Sequence, residues 1–227
     1  MIQTIIFDFG GVIATLDGDE AKKRFSDLGV ADVDRVLDPY RQQGFFGDLE
    51  EGKIGEEEFR RKLGEMCGRE LTFDEVRHCW LGYMKELPFY KLDALKKLRR
   101  KGFRVVMLSN TNPYVMDWAE SPEFSGDGHS VDYYFDSMYR SYEMGCMKPD
   151  EMFFRRVLAQ EHILPEETLF VDDGPRNCAA ASELGINTYC PANGADWTDE
   201  IYKFLTAGLR YDFEGQESKF YGKMLGN

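Results

Sequence analysis

The sequence predicts an α/β protein with a doubly wound parallel sheet and an all-helical segment inserted after the first strand. Short apolar runs at 4–7, 104–108 and 169–171 have the length and composition of buried strands. Stretches with helical spacing separate these runs, and strands that alternate with helices of this length favour a parallel sheet. Residues 17–88 lack strand-like runs, which places the helical insertion there.

Capping and turn signals predict the remaining elements. We expect helices over 92–100, after Asn112, after Pro149 and up to 184–185, with Asn112 as an N-cap and Pro113 as the first helical residue. Two further short strands are predicted at 133–137 and 187–189.

Apolar residues recur at helical spacing within the insertion. Phe59, Leu63 and Met66 form one such set, and Val76, Trp80 and Tyr83 form another. Thr72 and Glu75 have the spacing of a capping box, and Gly29, Gly52 and Gly68 separate the helices. We therefore divide the chain into a core domain at 1–16 and 89–207, a helical cap domain at 17–88 that would lie over the catalytic edge, and a C-terminal extension at 208–227 without clear periodicity.

Composition narrows the classes of partner. A net charge of −13 over 227 residues argues against a nucleic-acid partner, and any phosphate site must create its own positive potential. No apolar run approaches the roughly 18 residues needed to span a bilayer, so we expect no membrane partner and a cytoplasmic location. The five cysteines are widely spaced and form no Cys-x-x-Cys pair, which indicates reduced thiols and no structural zinc.

Polar residues follow the predicted strands at the points where these strands end. Asp8 follows the first strand, Ser109 and Asn110 follow the second, and Asp172 and Asp173 follow a later one. Any one of these could simply cap a turn or a helix. In open α/β sheets, however, the reactive site lies beyond the carboxyl ends of the strands, where glycines such as Gly10 and Gly11 allow close approach to a phosphate or metal.

If these strand ends converge, like charges meet. Two carboxylates ~4 Å apart repel by about 4 kcal/mol at an effective dielectric near 20, so Asp8, Asp172 and Asp173 should hold a proton or bind a hard cation. An oxygen-rich site of this kind suits Mg²⁺, which binds a substrate phosphate at the same time.

Four motifs resemble those of the haloacid dehalogenase-like (HAD) hydrolase superfamily, in the same order and over nearly the whole chain. They are Asp8-x-Gly10, Ser109-Asn110, Lys148-Pro149 and Asp172-Asp173. The Asp-x-Gly opening, the Leu-Ser-Asn-Thr-Asn turn and the Asp-Asp-x-x-x-Asn ending are similar to a sugar-phosphatase branch typified by α-D-glucose-1-phosphate phosphatase. The turn at 52–55 also resembles the helical cap of that branch.

The resemblance implies a mechanism and a role for each residue. Asp8 would attack a phosphomonoester and form an aspartyl-phosphate, which water then hydrolyses. Lys148 would neutralise charge on Asp8 and on the phosphoryl group, and Ser109 and Asn110 would bind phosphate oxygens. Mg²⁺ would be held by Asp8, the carbonyl of Gly10 and Asp173, with Asp172 and Asn177 in support. The substrate would be a small sugar phosphate such as glucose 1-phosphate.

One departure from the family pattern leaves alternatives open. Most phosphatases of the superfamily carry a second aspartate two residues after the nucleophile, as general acid and base, where this chain has Gly10. A positioned acid or base contributes about 10²–10⁴ in rate. Asp17 could substitute for it, or could be a polar hinge residue. The rival functions are a 2-haloacid dehalogenase and a catalytically weak phosphate-binding or regulatory protein.

The cap would determine specificity. Phe45, Phe46, Trp80 and Tyr83 could pack on a sugar ring, or could form the core of the cap. The segment at 41–44 and the Glu50-Glu51 pair could bind hydroxyl groups. The sequence leaves the oligomeric state open.

Overall fold

The computed structural model describes residues 1–37 and 43–207. The predicted extension at 208–227, and Arg41 and Gln42 of the cap, lie outside the described residues. The strands are β1 (Thr4–Phe7), β2 (Thr15–Leu16), β3 (Met84–Glu86), β4 (Arg104–Ser109), β5 (Ser137–Arg140), β6 (Thr168–Val171) and β7 (Asn187–Tyr189). The helices are α1 (Gly18–Leu28), α2 (Val33–Val36), α3 (Phe45–Glu50), α4 (Glu56–Cys67), α5 (Phe73–Trp80), α6 (Phe89–Arg100), α7 (Pro113–Ala119), α8 (Ser141–Met144), α9 (Glu151–Glu161), α10 (Pro175–Glu183) and α11 (Thr198–Ala207).

Five strands form a parallel sheet in the order β5-β4-β1-β6-β7. β1 lies at the centre and pairs with β4 on one side and β6 on the other, so the strand order reverses beside it. Ligands of open α/β sheets bind at such a reversal. The predicted fold class is confirmed.

The register of the central strands sets the level of the site. Phe7 of β1 pairs with Met107 of β4 and with Val171 of β6. The residues that come next, Asp8 and Asp172 among them, therefore emerge side by side at one edge of the sheet.

Apolar layers cover both faces of the sheet, because alternate strand residues point to opposite faces. On one face, Ile6, Val106 and Phe170 pack with Phe153 and Phe154 of α9. The residues of the other face belong to a larger cluster, which continues into the inserted helical segment: Ile5, Phe7, Val105, Leu169, Leu92 and Trp197 among others.

The inserted segment has an aromatic centre of its own. The ring centroids of Phe25 and Trp80 are 5.4 Å apart, and those of Phe46 and Phe59 are 5.0 Å apart. All four side chains are fully buried. Burying one side chain of this size stabilises a fold by about 1.5–3 kcal/mol, so these rings hold α1, α3, α4 and α5 together. We propose that the segment at 17–88 is a separate cap domain.

One short strand interrupts the segment that the sequence predicted to be all-helical. β3 pairs antiparallel with β2, Thr15 lying opposite Glu86 and Leu16 opposite Met84. The pairing joins the two places where the chain enters and leaves the insertion. A three-residue strand carries no periodic signal, and its partner is about 70 residues away in sequence, so local pattern could not reveal it.

Most of the local signals are confirmed, and one strand is displaced. Asn112 caps α7 with Pro113 in its first turn, and Thr72 and Glu75 form the capping box of α5. The strand predicted at 133–137 is wrong in position, because Val131–Tyr134 is a 3₁₀ helix and β5 begins at Ser137. Tyr134 is fully buried. Because the short 3₁₀ helix contains such buried apolar residues, its sequence resembles that of a buried strand. Within the described ranges, no helix combines the length and apolar composition that a bilayer crossing requires.

Candidate active site

Asp8 lies in the loop that follows β1, at the floor of a cavity. Its carboxylate Oδ1 accepts the backbone N–H of Phe9 at 2.6 Å, and its Oδ2 lies 2.8 Å from Nζ of Lys148. The residue is only 9% exposed. Asp8 is thus held by two donors with its carboxylate at the cavity, an arrangement that suits a nucleophile.

Lys148 is surrounded by acceptors. Besides Asp8, its Nζ contacts Oδ2 of Asp172 at 2.6 Å and donates to the carbonyl of Leu108 at 2.9 Å. An ammonium has three protons, and these three acceptors can take all of them. The side chain is fully buried. Lys148 is therefore a fixed positive charge between two strand ends rather than a solvated turn residue.

Asp172 uses its other oxygen within the protein. Its Oδ1 accepts the backbone N–H of Gly174 at 2.7 Å and Nδ2 of Asn177 at 3.0 Å. Asp172 is fully buried. With Lys148 on one oxygen and two donors on the other, this carboxylate orients the lysine and has little capacity left for a cation. The resemblance to the HAD superfamily implied this supporting place for Asp172 and Asn177, and we keep it as a proposal.

Asp173 completes an acidic cluster. One ligand oxygen each from Asp8, Asp172 and Asp173 lie within 4.8 Å of one another. A Cβ at Gly11 would lie 2.2 Å from Oδ2 of Asp173, so only a glycine leaves room for this carboxylate beside the loop. Gly11 also has a φ of +78°, a conformation that favours glycine. Clustered carboxylate oxygens of this kind fit a hard divalent cation such as Mg²⁺.

The shifted pKa values agree with this electrostatic picture. Burial raises the pKa of Asp8 well above its ordinary value, and the charges of Asp172 and Asp173 add to that shift while Lys148 opposes it. Burial also raises the pKa of Asp173, to about 6. Burial lowers the pKa of Lys148, but the carboxylates outweigh it and the net shift is upward. A divalent cation at the cluster would favour the ionised carboxylates.

Ser109 and Asn110 lie on the wall of the same cavity but differ in how they are engaged. The side chain of Asn110 donates to the carbonyl of Lys148 at 2.9 Å and accepts its N–H at 2.8 Å. Asn110 therefore fixes the backbone of the lysine. Among the described residues, the Ser109 hydroxyl makes only a long contact of 3.4 Å to the carbonyl of Asn110, which leaves it suited to bind a phosphate oxygen.

The loop after β1 is supported from behind by two residues that sequence reasoning did not single out. The carbonyl of Val12 accepts Nζ of Lys91 at 2.8 Å and the indole N–H of Trp197 at 2.9 Å. Lys91 is fully buried, and burial lowers its pKa. The sequence carries no local signal for either role, because the partner of both side chains is a backbone carbonyl far away in the chain.

The cavity above Asp8 has a volume of about 140 Å³ and is partly covered by the inserted segment. The segment contributes Glu50, Trp80, Tyr83 and Met84 to its lining. Trp80 belongs at the same time to the aromatic centre, and Phe46 is buried within that centre. Phe46 is therefore part of the core of the inserted segment. Trp80 and Tyr83 also line the cavity.

A family model for haloacid dehalogenase-like hydrolases matches residues 2–185. The match includes every residue of the acidic cluster and its lysine. The chain belongs to the haloacid dehalogenase-like hydrolase family. This confirms the resemblance that the four motifs predicted.

Relatives of this HAD chain include a named phosphatase, a predicted hydrolase and an enzyme solved with phosphate. A D-ribitol-5-phosphate phosphatase of Bacteroides thetaiotaomicron is 49% identical over 91% of this chain and all of that protein. A HAD-like hydrolase from Porphyromonas gingivalis has a structure with a TM-score of 0.86, 46% identity, and coverage of 90% of this chain and 98% of that one. A HAD-family enzyme of B. thetaiotaomicron, solved with magnesium and inorganic phosphate, has a TM-score of 0.80, 34% identity, and coverage of 88% and 99%.

These comparisons confirm two predictions about this HAD chain. It is a phosphatase, and Mg²⁺ is its cofactor. The preference for glucose 1-phosphate finds no support among these relatives.

Position 10 of this HAD chain carries no acid. A Cβ at Gly10 would lie 2.9 Å from Cδ1 of Leu16, so a side chain there requires the end of Leu16 to move. Asp17 does not take its place, because its Oδ1 accepts the N–H of Asp19 as the N-cap of α1 and its Oδ2 lies 3.4 Å from Nζ of Lys85.

Proposed function

We propose that this phosphatase hydrolyses the phosphate monoester of a small sugar alcohol, with D-ribitol 5-phosphate as the first candidate, through an aspartyl-phosphate on Asp8. One observation carries the proposal. The Asp8 carboxylate lines a cavity beneath the inserted segment, 2.8 Å from the buried ammonium of Lys148, and Ser109 lines the same cavity.

Each residue has a defined task in this mechanism. Oδ of Asp8 attacks phosphorus in line with the leaving alcohol, and the ester bond breaks as the new bond forms. Lys148 offsets the negative charge of the phosphoryl oxygens from a fixed position and therefore needs no reorganisation during the reaction. The hydroxyl of Ser109 donates to a phosphoryl oxygen.

The cation site supports the same chemistry. Asp8, Asp173 and the carbonyl of Gly10 would hold Mg²⁺, while Asp172 and Asn177 keep Lys148 and the loop in place. When bound there, Mg²⁺ supplies positive charge for the substrate phosphate. The net charge of −13 makes such local positive charge necessary.

The choice of substrate rests on the relative and on the size of the cavity. A relative 49% identical to this chain is named for D-ribitol 5-phosphate. The partly open cavity of about 140 Å³ suits a small metabolite. We propose the cytoplasm as its compartment, since the five cysteines are widely spaced and form no Cys-x-x-Cys pair.

Phosphate release from a panel of esters tests this function. The panel holds D-ribitol 5-phosphate, D-glucose 1-phosphate, a nucleotide and 4-nitrophenyl phosphate, each with Mg²⁺ or with EDTA. We expect Mg²⁺-dependent release, highest kcat/KM for the ribitol ester, and loss in Asp8→Asn. Asp17→Asn is the matched control and should retain activity, because Asp17 caps a helix outside the cavity lining.

The rival functions have distinct outcomes in this assay. Halide release from a 2-haloacid without phosphate release would indicate a dehalogenase. Phosphate binding without turnover of any ester would indicate a regulatory protein.

A further inference from the structure

The alcohol that leaves a phosphate ester needs a proton, and position 10 does not supply one. Gly10 has no side chain, and Leu16 occupies the adjoining space. The proton donor has to come from elsewhere in the cavity.

Glu50 is a carboxyl group of the cavity lining that the mechanism above does not use. It ends helix α3 in the cap and is only 8% exposed. Its side chain is hydrogen-bonded to Asn112, at the start of α7. Asn112 uses its Oδ1 to accept the N–H groups of Tyr114 and Val115 at 3.2 Å each, which leaves its Nδ2 to donate to Glu50. The carboxyl is therefore held in place from the core.

Trp80 lines the same cavity as Glu50. Trp80 packs against Phe46, which lies one helical turn before Glu50 on α3.

We propose that Glu50 donates the proton to the leaving oxygen and then accepts a proton from the attacking water. The proposal rests on the phosphatase function above. In the first step the bond from Asp8 Oδ to phosphorus forms, the bond from phosphorus to the alcohol oxygen breaks, and that oxygen takes the Glu50 proton. In the second step water attacks phosphorus, the bond to Asp8 breaks, and the water proton returns to Glu50.

The surroundings of Glu50 suit this role. The titratable groups that share the cavity lining are Asp8, Tyr83, Lys148 and Asp173. Glu56, Glu57 and Glu58 belong to α4 and Tyr142 and Glu143 to α8, the helices that pack against α3. Burial raises the pKa of Glu50 to about 8, and only the hydrogen bond from Asn112 opposes it. A carboxyl group with a raised pKa suits a proton donor at neutral pH.

A comparison of two leaving groups tests the proposal. Wild type, Glu50→Gln and the matched control Glu51→Gln are assayed with D-ribitol 5-phosphate, whose alkoxide needs a proton, and with 4-nitrophenyl phosphate, whose phenolate does not. We expect Glu50→Gln to lower kcat for the ribitol ester about 10²–10⁴-fold. In the same variant the first turnover of nitrophenyl phosphate should stay fast and be followed by slow turnover, because the aspartyl-phosphate lacks its base. Glu51→Gln should resemble wild type, because Glu51, unlike Glu50, does not line the cavity and so does not have the hydroxyl-binding place that the sequence left open for it.

A pH profile adds a readout that a merely structural role would not change. Wild-type kcat for the ribitol ester should fall above pH about 8, where Glu50 loses its proton, and this limb should be missing in Glu50→Gln.

Three results would overturn the proposal. The first is that Glu50→Gln leaves both kcat and KM for the ribitol ester unchanged. The second is that Glu50→Gln slows the first turnover of the nitrophenyl ester as much as it slows the ribitol ester. The third is that Glu50→Gln raises KM for the ribitol ester with kcat unchanged, which would assign Glu50 to hydroxyl binding alone. If the wild type with Mg²⁺ releases phosphate from neither ester, the proposed function itself fails, and the role of Glu50 fails with it.

Discussion

Nζ of Lys148 lies 2.6 Å from Oδ2 of Asp172 and 2.8 Å from Oδ2 of Asp8, so a single ammonium connects the ends of β1 and β6. All of these side chains are almost completely removed from solvent. A buried charge pair of this kind is costly to break, because the remaining partner stays uncompensated. The lysine therefore stabilises the site as well as serving its chemistry.

Asp172→Asn should separate a supporting role from direct metal binding. The amide weakens the contact with Lys148, and we expect a loss of about 10–100-fold in phosphate release with a smaller change in Mg²⁺ affinity. Asp173→Asn should show the opposite balance, because we propose Asp173 as a ligand. Isothermal titration with Mg²⁺ alone measures both affinities. Equal losses of affinity in the two variants would make Asp172 a ligand and contradict the assignment.

Gly11→Ala should remove cation binding. Its Cβ would lie 2.2 Å from the Asp173 carboxylate, which must then move away from Asp8. Gly128→Ala is the matched control, since Gly128 has a φ of +80° against +78° at Gly11 and no atom within 4 Å of the added Cβ. Both variants should lose about 1 kcal/mol of stability through backbone strain, and only Gly11→Ala should lose Mg²⁺ affinity. Retained affinity in Gly11→Ala would show that Asp173 is not a ligand.

The buried Glu50 should also affect stability through pH. Its pKa is about 8 in the folded protein, against 4.5 for an ordinary glutamate. Between these values the folded state binds more protons than the unfolded state, so the free energy of unfolding falls as the pH rises. Urea unfolding at pH 5 and pH 8 should show a smaller decrease for Glu50→Gln than for wild type. An identical decrease in both proteins would mean that Glu50 is ionised in the fold.

The polar groups at the strand ends could be predicted from the sequence. Features that depend on contacts between distant parts of the chain could not. Asp8 and Asp172 could be placed together because a parallel register brings strand ends to one edge. The proton-donor role proposed for Glu50 could not, since it depends on burial beside Asn112, 62 positions later in the chain. The same limit explains β3, whose only signal is its pairing with β2.

Gly10→Asp in the Glu50→Gln background should restore part of the lost turnover. The new carboxyl would enter the same cavity from the loop after β1, once the end of the Leu16 side chain moves from its place 2.9 Å from the new Cβ. Adding Leu16→Ala should increase the recovery by making room. The measurement is kcat for D-ribitol 5-phosphate, with Gly10→Asn as the control that cannot donate an acidic proton. Equal recovery with asparagine would show that the gain is not acid catalysis.

The most direct test is to trap the phosphoryl group on Asp8. Wild type and Asp8→Asn are mixed with Mg²⁺ and ³²P-labelled ester, quenched in acid within the first turnover, and mapped by peptide. We predict label on the wild-type peptide that contains Asp8 and none on the variant. Phosphate released at the wild-type rate with no label on any peptide, including in a Glu50→Gln protein in which the intermediate should accumulate, would contradict the aspartyl-phosphate mechanism.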